Sequence, residues 1–167
     1  SGALLGLAVA LRFQYAPALG LAALWMGWRK PQGLGLMVAA GAAVLLVANG
    51  LLDWVSWGSP FQSIWLNVLR NGRDGISAAT GTDPAGFVLD YVRAALWPAP
   101  ILLGLLAIGA TRAPALAIAG LAAAVIHTII PHKEVRYFYL LIAVAPVLIG
   151  LGAAAVLEAL AARRGPA

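Results

Sequence analysis

The tightest group of ionisable side chains lies at residues 132–137, HKEVRY, between two apolar runs. Lys133 and Arg136 are three residues apart, so on a helix they share one face. Two cations at a membrane boundary suit a phosphate or diphosphate, because arginine offers a planar fork of donors and lysine a point charge. Glu134 would hold a cation in place or accept a proton from a hydroxyl, and His132 would donate to phosphate or shuttle protons. The alternative is an interfacial turn whose cations reach lipid headgroups.

Three further ionisable residues stand within or at the end of apolar stretches. Asp53 ends a long apolar run, where a carboxylate opposes the helix dipole. That cost indicates a partner, such as a sugar hydroxyl or an arginine, unless Asp53 is an ordinary solvated loop acid. Arg12 separates two apolar runs and either faces a polar cavity or reaches an interface. His127 is interpreted as a packed or hydrogen-bonded histidine rather than a metal ligand.

The sequence contains no P-loop, nucleophile elbow or metal-ligand spacing. We therefore predict no metal site and no cofactor, and leave open whether a divalent metal is required. Cysteine is absent, which excludes a disulfide framework and a thiol-ligated metal.

The composition indicates a membrane environment. The 167 residues are 62% hydrophobic and 10% charged, with a mean hydropathy of +0.91, whereas about a quarter of the residues in a soluble domain are charged. The net charge of +5 falls in the gaps between apolar runs rather than on one long face. A bilayer therefore explains the basic residues better than a nucleic acid does.

The apolar runs predict an all-α polytopic transmembrane bundle of about five to six membrane helices. About 20 apolar residues in a helix cross roughly 30 Å of hydrocarbon, and small residues such as the 19 glycines let such helices approach closely. The first two runs form either a hairpin or one long interrupted helix. The predicted spans are residues 2–11, 15–28, 34–52, 94–110, 113–130 and 138–157.

The long polar stretch at residues 53–93 is predicted to be a partly helical extracytoplasmic loop. Ser59 has the side chain of an N-cap, and Pro60 suits the first helical position. The residues that follow predict a helix lying on the membrane surface or against the bundle. Its apolar face would comprise Phe61, Ile64, Trp65, Val68 and Leu69.

The short basic gaps indicate the orientation of the chain. Because each span reverses the chain, the gaps at Arg29–Lys30, Arg112 and Arg163–Arg164 share one face, which the positive-inside rule assigns to the cytoplasm. The HKEVRY motif and the 53–93 loop then share the opposite face. That face is periplasmic in a bacterial inner membrane, which the alanine-rich composition favours, or luminal in the endoplasmic reticulum.

HKEVRY closely resembles the HKE-x-R-F signature of the glycosyltransferase family 22 mannosyltransferases, with Tyr137 in place of the usual Phe. The stretch GLAVALRFQYAP is similar to that family's G-x-x-x-x-x-R segment, which places Arg12. The 53–93 loop is similar to the family's acidic, aromatic and Asn-containing loop, with Asp53 and Asn67 in corresponding places. The resemblance covers most of the chain, and its six-residue motif is more specific than its loop.

The resemblance implies a GT-C-like fold and an inverting glycosyltransferase, specifically a mannosyltransferase. Such an enzyme moves a sugar from a polyprenyl-phosphate donor to a hydroxyl of a glycan or glycolipid acceptor on the extracytoplasmic side. The residues that it assigns to the donor phosphate are Lys133, Arg136 and Arg12. The residues that it assigns to binding or orienting the substrate are His132, Glu134, Tyr137 and Asp53.

The family's general base is an acidic residue in a first outer loop near the N-terminus. Residues 1–167 are interpreted as the C-terminal part of one membrane domain, without that loop, so the catalytic base is unknown and this part alone is expected to be inactive. One alternative is a polytopic transporter or flippase for an anionic or lipid-linked substrate, which an inverted repeat of the spans would favour. The other is a structural membrane subunit with no site.

Overall fold

The structure, a computed structural model, describes residues 2–73, 83, 84, 86, 87, 90, 93, 94, 99–129 and 135–163. Regular secondary structure in these residues is entirely helical, which confirms the all-α prediction. The chain divides into two compact units, Ser1–Thr82 and Asp83–Ala167.

The first unit begins with a helical hairpin. Helix α1 (Gly2–Leu11) and helix α2 (Ala16–Arg29) are separated at Arg12, whose backbone is extended (φ −147°, ψ 85°), and by the 3-10 turn Phe13–Tyr15. The Arg12 N–H still bonds the Ala8 carbonyl at 3.0 Å, so the break comes directly at the end of α1. The first two apolar runs were predicted to form either a hairpin or one long interrupted helix, and the structure shows the hairpin.

The third helix of this unit is the long one, Pro31–Trp57. It comprises a 3-10 turn (Pro31–Gly33), α3 (Leu34–Leu45), a π-helical segment (Leu46–Leu51) and α4 (Leu52–Trp57). It ends at Gly58, whose φ of 83° is the left-handed conformation that closes many helices, and whose N–H bonds the Trp54 carbonyl at 3.0 Å. The predicted end at residue 52 was therefore wrong by one and a half turns.

Helices α1 and α3 run parallel and touch through glycines. A Cβ on Gly2 would overlap the Met37 carbonyl, and a Cβ on Gly6 would overlap the Gly41 carbonyl. Because α2 connects the end of α1 with the start of α3, it runs in the opposite direction. Without side chains at the contact, the two backbones approach as closely as small-residue contacts allow between membrane helices.

Helix α5 (Gln62–Val68) continues into a π-helical turn, Leu69–Arg73. The predicted cap was wrong: the N-cap position belongs to Phe61, in the left-handed region (φ 58°), and the Ser59 hydroxyl instead donates to Gln62 Oε1 at 2.5 Å. On the predicted apolar face, Trp65 is 62% exposed and Val68 45% exposed, so this face is only partly covered.

The second unit repeats this arrangement of three helices. They are α6 (Ala99–Arg112), α7 (Pro114–Ile129) and α8 (Tyr139–Arg163), with a 3-10 turn, Val135–Phe138, before α8. A Cβ on Gly109 would overlap the Leu148 carbonyl, and a Cβ on Gly152 would overlap the Leu105 carbonyl.

The ion pair between Arg112 Nη2 and Glu158 Oε2 (2.8 Å) fixes the direction of this contact. Because it joins the end of α6 to the C-terminal part of α8, the two helices run parallel. Helix α7 runs antiparallel to α8: Gly120 lies against Val144, and His127 against Tyr137.

The middle helix supplies much of the core of each unit. Buried residues there are mostly small, which lets the outer helices close around it. They are Ala18, Leu19 and Ala22 in α2, and Ala119, Ala123 and His127 in α7.

Within the described residues, two helices are long and apolar enough to cross a membrane. Pro31–Trp57 has a mean hydropathy of 2.1 and Tyr139–Arg163 of 2.6, and only 6% and 22% of their most apolar windows are buried. Such outward-facing apolar helices indicate association with a membrane. The other apolar helices have at most 16 residues, about 24 Å at 1.5 Å per residue, so the predicted five to six crossings stay a prediction.

Candidate functional site

The predicted site residues fall in both units. Arg12 and Asp53 belong to the first unit; Tyr137 and the backbone of Arg136 belong to the second. The convergence of the basic residues on one phosphate stays a prediction. Three predicted site residues lie outside the described part of the chain: His132, Lys133 and Glu134.

Asp53 is buried inside α4, where it is 8% exposed. Its Oδ2 accepts two hydrogen bonds from Ser63, one from the backbone N–H at 2.8 Å and one from the hydroxyl at 2.5 Å. Ser63 is the second residue of α5, so its N–H is one of the donors that a helix start leaves without an intrahelical acceptor. Asp53 therefore caps the next helix from ten residues away in sequence.

This capping corrects the expectation for Asp53. The partner that offsets an acid near the end of a helix is Ser63 and the positive end of the α5 dipole, rather than an arginine. Asp53 is also not a solvated loop acid, since it is helical and buried. A role for Asp53 toward a sugar hydroxyl stays a prediction.

The turn that brings Ser63 back to Asp53 is built around Phe61. Its N–H bonds the Asn49 carbonyl at 3.3 Å, and its ring lies on Gly50, where a Cβ would stand 3.1 Å from Phe61 Cζ. Both contacts reach into the π-helical segment of the long helix. The turn, the π-helical segment and the Asp53 cap together fold α5 back against the long helix.

Arg12 lies in the link between α1 and the turn Phe13–Tyr15, and is half-buried. Its carbonyl accepts the Tyr15 N–H at 3.0 Å. The backbone is not helical at Arg12, so the two apolar helices separate at this residue, and a cation lies between them.

His127 and the end of the HKEVRY motif form a ring cluster in the second unit. His127 is 1% exposed, and its Nδ1 is 2.7 Å from the Ala123 carbonyl oxygen. Its imidazole stacks on Tyr137, with centroids 5.5 Å apart and an angle of 29°. It also meets Phe138 edge to face at 6.0 Å and 66°. His127 is thus packed and hydrogen-bonded, as predicted.

Phe138 is the residue of this cluster that sequence reasoning missed. It is 1% exposed and contacts both His127 and Phe87, whose ring centroid is 6.2 Å away. The available signal was that an aromatic residue directly follows the motif. If the following helix packs against its neighbours, such a side chain lies in the interior and does not reach the membrane interface. Ser63 was missed as well, because its bond to Asp53 follows from the tertiary turn and has no local pattern.

An apolar groove of about 280 Å³ lies among α1, α2 and α3 in the first unit. Leu5, Leu19 and Met37 are among its lining residues, as are Gly2 and Gly6 of the α1–α3 contact. All of its lining residues are glycine or have apolar side chains, so it suits an alkyl or prenyl chain rather than a polar substrate.

The described residues contain no group of three or more histidine, cysteine, aspartate or glutamate side chains placed to hold a metal ion. The acids with described contacts are engaged in structure: Asp53 caps α5, and Glu158 pairs with Arg112.

No family model, curated protein or solved structure matches this chain.

Proposed function

We propose that the chain is part of a membrane glycosyltransferase, specifically a mannosyltransferase, that takes its sugar from a polyprenyl-phosphate donor. The observation that carries the proposal is the HKEVRY motif, which is separated by one residue from the apolar helix Tyr139–Arg163. A basic motif at the end of a membrane helix puts cations at the depth where a lipid phosphate lies.

In the proposed reaction the acceptor hydroxyl oxygen attacks the anomeric carbon of the donor sugar. The bond from that carbon to the phosphate oxygen breaks with inversion, and the polyprenyl phosphate leaves with the bonding electron pair. Negative charge grows on the departing phosphate, so cations placed there stabilise the transition state more than the ground state. We assign this task to Lys133, Arg136 and Arg12.

The remaining motif residues bind or orient the substrate in this proposal: His132, Glu134 and Tyr137, together with Asp53. The proposal assigns none of these residues as the base that takes the acceptor proton. The apolar groove of the first unit supports the proposal, because a prenyl donor needs an apolar surface for its tail.

We also propose that the protein crosses the membrane five to six times, with the motif on the periplasmic or luminal side. The parallel outer helices and reversed middle helix of each unit support this, because successive helices that reverse direction are what repeated crossings require. Trp25, Trp28, Trp54 and Trp57 are all exposed near helix ends, where membrane proteins carry aromatic belts.

The experiment is sugar transfer by the full-length protein in membranes, with labelled polyprenyl-phosphate mannose. Arg136→Ala and Lys133→Ala each remove a charge-assisted bond, so we expect kcat/KM to fall by about 10- to 100-fold while insertion is kept. Arg163→Ala is the matched control, a basic residue at the opposite end of α8, and should transfer normally. Near-normal turnover in both motif variants would reject the phosphate role.

A second candidate, transport of an anionic or lipid-linked substrate, is favoured by the shared arrangement of the two units. Each has a parallel first and third helix in glycine contact and a middle helix that runs back. Internal repeats of a helical unit are common in transporters. Flipping of a fluorescent polyprenyl phosphate by proteoliposomes, without sugar transfer, would establish this candidate over the first.

A further inference from the structure

His127 is a buried ionisable residue to which the proposed reaction gives no task. It lies near the end of α7 and is 1% exposed. A carbonyl oxygen only accepts, so Nδ1 carries the hydrogen and donates it to Ala123 across 2.7 Å. This bond ties the ring to the backbone of its own helix, and rotation of the imidazole would break it.

The fixed ring contacts the two residues that directly follow Arg136. Tyr137 lies stacked on it and Phe138 meets it edge to face. Offset stacking and edge-to-face contact are the two favourable arrangements of aromatic rings. Together they hold the position and the tilt of this part of the chain against α7.

The segment that carries Arg136 needs such a support. It is a 3-10 turn of four residues, Val135–Phe138, and 3-10 hydrogen bonds have poor geometry, so short turns of this kind depend on tertiary contacts. The direction of a side chain follows from the backbone of its own residue and its neighbours. A shift of Tyr137 therefore changes where Arg136 is aimed.

We propose that His127 is a positioning residue for the turn Val135–Phe138: through Tyr137 and Phe138 it sets the orientation of the backbone that carries Arg136. The inference rests on the proposed function, because only then does the aim of Arg136 matter for a donor phosphate. Histidine suits the task because it combines a ring that stacks with an N–H that stops the ring from turning. Phenylalanine at position 127 would keep a ring that stacks. Glutamine would keep a polar group that can donate a hydrogen bond, but it has no ring.

Thr128 provides the matched control. It is the next residue of α7, and its hydroxyl donates to the Ala124 carbonyl at 2.7 Å, the same kind of bond to the fourth preceding residue. Thr128→Val removes that bond and leaves the ring cluster intact. His127→Leu removes both the ring and the N–H. His127→Phe removes only the N–H, and His127→Gln removes only the ring.

The first measurement does not depend on activity. The chain contains no cysteine, so Arg136→Cys, in full-length protein in nanodiscs with any cysteine elsewhere replaced by serine, carries a single nitroxide label. We expect the label to be more mobile with His127→Leu and His127→Gln than in the parent, nearly unchanged with Thr128→Val, and intermediate with His127→Phe, which keeps the ring but loses the N–H. Unchanged mobility with both His127→Leu and His127→Gln would overturn the proposal.

The second measurement is transfer of labelled mannose by the same His127 and Thr128 variants with Arg136 in place. Misplacement of a binding group by about 1 Å costs on the order of 100-fold, so we expect His127→Leu to lose 10- to 100-fold in kcat/KM and His127→Phe to recover most of it. A purely structural role would give a loss that follows the thermal unfolding temperature and no recovery by phenylalanine.

The two measurements separate the inference from the proposed function. If the parent protein transfers no sugar, the function fails, and label mobility still decides the role of His127. If His127→Leu does not fold, the comparison of His127→Phe with His127→Gln decides: equal label mobility in these two contradicts a role for the ring.

Discussion

At the scale of single residues, the polar side chains of the apolar helices act first on the local fold. Asp53 caps a helix that starts nine residues later, and His127 stacks on the end of the basic motif. In both cases a group that is costly to bury makes a hydrogen bond within the fold, and such bonds offset the cost of apolar surroundings. The same contacts hold the segments that carry the candidate site.

The Asp53 cap predicts a local loss of stability in α5. Asp53→Ala removes the acceptor for both the Ser63 N–H and its hydroxyl, and loss of a cap costs about 0.5–2 kcal/mol. We expect the Ser63 amide to exchange hydrogen roughly tenfold faster, measured by hydrogen exchange in nanodiscs. Ser63→Ala, which keeps the N–H bond, should have a smaller effect.

Ser56→Ala is the control for this prediction, because Ser56 is exposed and lies in the same turn of α4 as Asp53. Exchange at Ser63 that is equally slow in Asp53→Ala and Ser56→Ala would show that the carboxylate does not support the helix start.

At the scale of elements, glycine contacts decide which helices pair. Gly109 and Gly152 join α6 to α8 at backbone distance, and Gly2 and Gly6 join α1 to α3. Between helices in lipid, such close packing replaces the hydrophobic effect that drives association in water. The middle helix of each unit then fills the remaining space with alanine and leucine side chains.

A pair of substitutions on α6 tests this packing. The Cβ of Gly109→Ala meets the backbone of Leu148, which has no flexible end to move, so the helices must separate; overpacking of this kind costs about 1–3 kcal/mol. Gly104 has open space around it, so Gly104→Ala should be neutral or stabilise the helix by up to about 1 kcal/mol. The measurement is the thermal unfolding temperature of Gly109→Ala and of Gly104→Ala in detergent.

Equal unfolding temperatures for the two α6 variants would contradict the close contact. The same comparison is available on α8, where Gly152 meets the Leu105 backbone and Gly150 meets nothing within 4 Å.

The sequence predicts the helices well where hydrophobicity alone decides. The apolar run at 34–52 lies within Pro31–Trp57, and all of the run at 138–157 except its first residue lies within Tyr139–Arg163, because long uncharged segments have few alternatives to a helix. The prediction failed at Asp53, where a polar residue was taken as the start of a loop. The helix continues because Ser63 satisfies the carboxylate, and that bond exists only after the chain has turned at Gly58 and Phe61.

The candidate site was also predictable only in part, because some of its contacts exist only after the chain has folded. His127 follows as a packed histidine from its apolar surroundings, but its contact with Tyr137 depends on α7 running antiparallel to α8. The glycine and ion-pair contacts of α6 with α8 likewise bring together residues about forty or more positions apart.

At the scale of the whole molecule, two units share the same three-helix arrangement, and the HKEVRY motif precedes the last helix in sequence. The short basic gaps predict a cytoplasmic location for Arg29–Lys30 and Arg112. The exposed ion pair of Arg112 with Glu158, whose side chains are 51% and 62% exposed, fits a water-facing helix end and contributes at most about 1 kcal/mol to stability.

Reporter fusions test this orientation. We expect a cytoplasmic reporter to be active when fused after residue 31 and inactive after residue 75, because an odd number of crossings separates the two points. Cytoplasmic activity from residue 75 would contradict the orientation and with it the outer location of the motif.

The most direct test of the central claim is the binding of two lipids that differ only in the phosphate. Polyprenyl phosphate and the matching polyprenol are titrated against full-length protein in nanodiscs, with and without Arg136→Ala. Loss of one charge-assisted bond should weaken polyprenyl phosphate binding about tenfold and leave polyprenol binding unchanged. Equal affinity of the parent and the variant for polyprenyl phosphate would contradict the claim that the basic motif holds the donor phosphate.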